Sequence, residues 1–146
     1  MGKTMAMVAH DSKKDDMVQL VKAHKEELAK IGLIATRSTG QIIQERTGLP
    51  VRLLQSGPLG GDQQIGGLVA NGEVDAVIFL RDPLTAHHHE PGVSPSLRVC
   101  DVHDVPLATI LTTAEADLHL IAENPEALSG HHLAAQSIRE MAAIHE

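Results

Sequence analysis

The sequence predicts an α/β protein: a single-domain, doubly wound open sheet of about five parallel strands flanked by helices. Three observations lead there. Short apolar runs alternate with amphipathic stretches along the whole chain. Glycine, proline and asparagine stops separate them at the spacing of βαβ units with right-handed crossovers. No internal repeat, low-complexity tract or linker divides the 146 residues, so 1–146 reads as one domain.

Taken in order, Thr4 to Ala9 reads as a buried strand. Ser12 to Lys30 reads as a helix with Met17, Leu20, Val21, His24 and Leu28 on one side, opened by a capping box from Ser12 to Asp15 and stopped by Gly32. Leu33 to Thr36 is a second strand, and Gly40 to Thr47 a short helix closed by Gly48 and Pro50. Val51 to Gln55 is a third strand and Asp62 to Ala70 the helix after it, ended by Asn71-Gly72. Val74 to Leu80, apolar nearly throughout, is the run expected at the centre of the sheet. Ser94 to His103 reads as a helix, Pro106 to Leu111 as a fifth strand, and Thr113 to Glu123 and His131 to His145 as closing helices.

Composition narrows the function. At 42% hydrophobic residues the chain can bury a true core, which must be aliphatic because Phe79 is the sole aromatic of the Phe/Trp/Tyr class. A formal charge of -7 and the lack of stacking platforms argue against a nucleic-acid partner. The single Cys100 can form no intramolecular disulfide; its neighbours suggest a half-buried helix and an inert thiol, in a reducing compartment. No stretch approaches ~18 uninterrupted apolar residues and no secretory h-region precedes His10, so a membrane partner is not expected and a cytoplasmic location is.

In open α/β sheets, ligands lie beyond the carboxyl ends of the strands, and there the unusual residues gather. His10, Asp11 and Lys14 follow strand one, and Thr36-Arg37-Ser38-Thr39-Gly40 follows strand two. Ser56-Gly57-Pro58-Leu59-Gly60-Gly61-Asp62 follows strand three, and Asp82 to Gly92 follows strand four. Glycines let backbone N–H groups approach an anion closely, and a carboxylate at Asp62 beside them suits acid–base chemistry on a phosphorylated small molecule. A surface turn with Asp62 as N-cap is the plainer alternative. Likewise, the hydroxyls of Thr36, Ser38 and Thr39 suit either a phosphate at a helix N-terminus or simple capping. Asp82 ends a buried strand, where a carboxylate is expensive, yet strand-end Asp also forms turns. His87-His88-His89 offers imidazoles that move protons near neutral pH; no metal-ligand spacing accompanies them, and metal ranks below proton transfer.

Over roughly its first 110 residues the chain resembles methylglyoxal synthases. The resemblance is carried by Val8-Ala9-His10-Asp11 with Lys13-Lys14, by Ala35-Thr36-Arg37-Ser38-Thr39-Gly40, and by Ser56-Gly57-Pro58-Leu59-Gly60-Gly61-Asp62-Gln63-Gln64. Phe79-Leu80-Arg81-Asp82-Pro83-Leu84-Thr85-Ala86, His89-Glu90-Pro91 and Leu97-Arg98-Val99-Cys100-Asp101 extend it. It implies conversion of dihydroxyacetone phosphate into methylglyoxal and inorganic phosphate with no cofactor, by a homohexamer. It assigns Asp62 as the catalytic carboxylate, His89 as the group polarising the carbonyl, and Asp82 as a second acidic position. Lys14, Thr36, Ser38, Thr39, Ser56 and Gly57 match positions that hold substrate, with His10 in the same shell. Arg37 stands where the family has glycine, adding a cation beside the expected phosphate; Gly92 replaces an aspartate and Ile110 an asparagine.

The chemistry so implied is coherent. A carboxylate of ordinary pKa, about 3.9, is a feeble base toward carbon, so it needs partial desolvation and an electrophile for the enediolate. The phosphate then leaves by elimination, which requires its C–O bond perpendicular to the enediolate plane. The rival class is a regulatory domain of the same fold that binds phosphate or a small metabolite; it needs the cradle but not Asp62 with His89.

Overall fold

The computed structural model describes residues 3–84, 98–123 and 129–145. Five strands, β1 (Thr4–Ala9), β2 (Gly32–Ala35), β3 (Arg52–Leu53), β4 (Ala76–Leu80) and β5 (Leu107–Ala108), form one all-parallel sheet in the order β3-β2-β1-β4-β5. The fold class expected from the sequence is thus the one found. Of the expected run 74–80, Ala76–Leu80 forms an interior strand, although β1 holds the middle position.

Both faces of the inner strands are covered, which is why they read as unbroken apolar runs. Met5, Met7 and Ala9 of β1 join Ala76, Ile78 and Leu80 of β4 on one face. Helices α1 (Lys14–Ala23), α3 (Arg37–Thr47) and α6 (Leu111–Glu123) contribute Met17, Ile43 and Leu118 to that same core. Ala6, Val8, Val77 and Phe79 point the other way, toward Ile65 and Val69 of α4 (Gly61–Ala70) and Cys100 of the helical residues 98–103 (α5). A four-residue helix α2 (Lys25–Leu28) follows α1, and α7 (Ser129–His145) ends the chain. The chain therefore winds β1-β2-β3 in one direction, then returns to place β4 on the other flank of β1. That reversal makes the β1/β4 boundary the switch point of the sheet.

Several boundaries differ from expectation. The helix expected over Ser12 to Lys30 is broken at His24, whose Nδ1 turns back to Glu27 at 3.3 Å. Its capping box does not form: a 3-10 turn (Asp11–Lys13) precedes α1, and Asp15 pairs instead with Arg46 at 2.9 Å. β3 and β5 are two residues long rather than five and six: the Val51 carbonyl accepts from the Gln44 side chain, the Gln55 N–H donates to Gln64, and Leu111 already begins α6. Residues 94–97 of the expected helix lie outside the described residues. Cys100 is buried as expected, and burial beside Asp101 pushes its thiol up to about 11. No helix among the described residues is long and apolar enough to cross a membrane.

Asp117 is the odd member of this core. It is buried on α6, one Oδ has no hydrogen-bond partner among the described residues, and burial pushes its pKa from 3.8 to about 6. The folded state thus favours the protonated form. The stability tied to that proton is full below about pH 4 and is lost as pH rises through about 6. Asp117→Asn is expected to stabilise the protein by up to about 3 kcal/mol at pH 8, falling to a few tenths near pH 4. Urea unfolding at the two pH values checks this; an equal effect at both contradicts it.

Candidate functional site

The carboxyl ends of the parallel strands all open on one edge, and hydrogen bonds knit the loops there together. After β1 the His10 N–H donates to the Leu80 carbonyl of β4 at 3.0 Å. The His10 ring is 5% exposed and meets Phe79 edge-on, centroids 5.4 Å apart. Its Nδ1 accepts the backbone N–H of Asp82 at 3.1 Å, which places the proton of the neutral ring on Nε2. Across the same boundary the Ser12 hydroxyl donates to Asp82 Oδ2 at 2.8 Å, and Asp82 Oδ1 accepts the Leu84 N–H at 3.0 Å. Lys14 opens α1; its ammonium donates to the Ala9 carbonyl at 3.3 Å and pairs with Asp11.

The loop after β2 is bound to β1 by Thr39. Its fully buried hydroxyl accepts the Ala9 N–H at 3.2 Å and donates to the Ala9 carbonyl at 3.4 Å, with Thr36 Oγ1 donating to it at 3.4 Å. This is not capping: Thr36 is the N-cap of α3 and its side chain makes no capping hydrogen bond among the described residues. The helix starts at Arg37, three residues earlier than expected, so the first-turn N–H groups of Ser38 and Thr39 make no backbone hydrogen bond among the described residues. Thr36 and Thr39 are buried, whereas Arg37 and Ser38 are exposed.

The loop after β3 explains its glycines. Ser56 leads a 3-10 turn (Gly57–Leu59), with both Ser56 and Gly57 half-buried, and the Ser56 carbonyl accepts the Gly61 N–H at 2.9 Å. Gly60 takes φ 105°, a left-handed conformation that admits little but glycine, and it is the N-cap of α4. A Cβ on Gly61 would lie 2.1 Å from the Gln55 carbonyl and 2.8 Å from Thr36 Cγ2. The head of α4 is thereby pressed against the ends of β2 and β3. Asp62, next in sequence, is only 1% exposed, so the N-cap alternative fails on both position and burial. The Arg37 N–H reaches the Gln55 carbonyl at 3.4 Å, and Gln64 Oε1 accepts the Gln55 N–H at 2.7 Å.

The structure thus gathers Lys14, Thr36, Thr39, Ser56, Gly57 and Asp62 around the ends of β1, β2 and β3, with His10 and Asp82 at the β1/β4 switch. His89 and Gly92 lie outside the described residues. Ser12, read from the sequence only as a helix cap, and Gln64, read only as the end of the glycine-rich motif, brace Asp82 and Gln55; no spacing rule marks a strut between distant loops. A cleft of about 600 Å³ opens beside the switch point; it takes in His10, Arg81, Asp82, Ile110 and Leu111, while Asp62 and the Thr36–Thr39 loop are not part of its wall. Among the described residues no three His, Cys, Asp or Glu side chains stand close enough to share a metal ion.

Comparison with known proteins places the chain in a family. Residues 16–109 match the family model for the MGS-like domain. The methylglyoxal synthase of Moorella thermoacetica is 57% identical over 83% of this chain and 94% of its own length. That of Thermus thermophilus is 59% identical over 78% and 90% respectively. The crystal structure of the Elizabethkingia anophelis methylglyoxal synthase superposes with a TM-score of 0.78 at 44% identity, covering 83% of this chain and 81% of that one. By fold, motif and sequence alike, the chain belongs to the methylglyoxal synthase family.

Proposed function

We propose that the chain is a methylglyoxal synthase, a carbon–oxygen lyase that converts dihydroxyacetone phosphate into methylglyoxal and inorganic phosphate. The observation that carries this reading is the burial of Asp62 at the head of α4, held against the Thr36 loop by Gly61. A phosphate seated on the first turn of α3 meets the N–H groups of Ser38 and Thr39 and the positive end of an eleven-residue helix. The Lys14 ammonium, over the Ala9 carbonyl, adds a cation at the same strand end. The Asp62 carboxylate takes the proton from the carbon bearing the hydroxyl, and the electron pair forms an enediolate. Collapse of that enediolate expels phosphate by breaking the C–O bond, leaving the enol of methylglyoxal, which tautomerises to the ketoaldehyde.

In this reading His10, with its proton on Nε2, is a hydrogen-bond donor rather than a base, and His89 polarises the substrate carbonyl. Asp82 holds the His10 ring through its backbone N–H. Ser56 and Gly57 complete the cradle, and Arg37 at its rim draws the anionic substrate in. No cofactor takes part; a homohexamer working in the cytoplasm on this substrate completes the proposal. The test is to supply dihydroxyacetone phosphate and assay the two products separately. Equimolar methylglyoxal and phosphate are expected, and binding with release of neither would turn the reading toward a regulatory module.

A further inference from the structure

The cleft beside the switch point holds chemistry that the proposed reaction leaves unused. Its charged groups are mostly committed: Lys13 pairs with Asp16 at 3.9 Å, and the Asp82 carboxylate accepts from Ser12 and Leu84. Arg81 is not. It is half-buried directly after β4, and its guanidinium makes no hydrogen bond or ion pair among the described residues. Thr109, past the end of β5, likewise has an uncommitted hydroxyl. Leu80, Pro83, Ile110 and Leu111 supply apolar wall to the same cleft, and Ile110, 59% exposed, and Leu111, 36% exposed, show large apolar surface to a concavity rather than to the core. The volume of about 600 Å³ suits a small organic molecule.

We propose that this cleft is a second ligand site, taking a small organic monocarboxylate with a branched aliphatic body. The planar fork of Arg81 matches a carboxylate bidentately, Thr109 adds a hydroxyl donor, and the body covers Ile110 and Leu111. A second negative charge is disfavoured, because Asp16 and Asp82 also line the cleft. His10 and Asp82 are common to the cleft and the reaction centre, so an occupant bears on turnover through the bond from the Asp82 N–H to His10 Nδ1. That coupling rests on the proposed reaction; the binding itself does not.

The test titrates the full chain with 4-methylpentanoate and follows the His10 ring and Ile110 methyl signals by NMR. Acetate, lacking the body, and 4-methylpentan-1-ol, lacking the charge, are the comparison probes. Saturable binding of 4-methylpentanoate is expected, with both comparison probes weaker by about tenfold or more. Arg81→Gln should weaken it about tenfold while leaving affinity for inorganic phosphate unchanged. Ile110→Ser, at an exposed position that leaves the core intact, should weaken it several-fold. No saturable shift, or equal affinity in the wild type and both variants, overturns the proposal. Since the readout is binding, a chain that makes no methylglyoxal could still pass, and a failed titration leaves the lyase reading standing.

Discussion

Asp62→Asn is expected to lower turnover of dihydroxyacetone phosphate by about 10³-fold while leaving affinity for inorganic phosphate within about twofold. Asn keeps the shape of a side chain that is 1% exposed, so the packing of α4 against β2 and β3 survives. What disappears is the carboxylate that the proposed mechanism uses to take the proton from carbon. In the proposed site phosphate is held by different residues, the α3 first turn and Lys14, which the substitution leaves in place. Initial rates of phosphate release, together with calorimetric titration of phosphate, measure the two quantities on the same preparation. Undiminished turnover in the variant removes Asp62 as the base.

Gly61→Ala carries the second large effect, expected as a loss of about 3 kcal/mol of stability accompanied by loss of activity. A Cβ at that position would lie 2.1 Å from the Gln55 carbonyl and 3.0 Å from the Ser56 carbonyl, and backbone atoms cannot swing aside as a flexible side chain can. The head of α4 must therefore retreat from β3, taking Asp62 away from the Thr36 loop. Gly66, in the same helix, provides the internal control. A Cβ there meets nothing within 4 Å, so Gly66→Ala should raise stability by about 0.5–1 kcal/mol through helix propensity alone. Urea unfolding of the two variants beside the wild type tests the contrast. Similar effects at both positions would contradict the close approach at Gly61.

The sequence made the centre of this fold plain and its edges less so. β1 and β4 were legible because strands buried on both faces must be apolar at consecutive positions, as Met5 to Ala9 and Ala76 to Leu80 are. β3 is shorter than its apolar run, since Val51 is buried while its carbonyl accepts from the Gln44 side chain and the Gln55 N–H donates to Gln64 rather than to β2. The start of α3 was misplaced because Ser38 and Thr39 look like caps, whereas Thr39 spends its hydroxyl on β1 and leaves the helix end open. The convergence of the loops on one edge followed from parallel topology alone. The bonds that lock them, Ser12 to Asp82 and the Asp82 N–H to His10, join residues about seventy positions apart, which no local pattern encodes. The cleft was invisible for the same reason: its walls come from separate segments after β1, β4 and β5.

The central claim is that phosphate cradle and base share one pocket at the strand ends. A crystal structure with a phosphonate analogue of dihydroxyacetone phosphate, its bridging oxygen replaced by a methylene that cannot leave, examines it most directly. The account predicts the phosphonate on the N–H groups of Ser38 and Thr39, with an Asp62 oxygen within hydrogen-bonding distance of the hydroxymethyl carbon's substituents. An analogue bound away from the first turn of α3, or with Asp62 out of reach of its carbon skeleton, would contradict it.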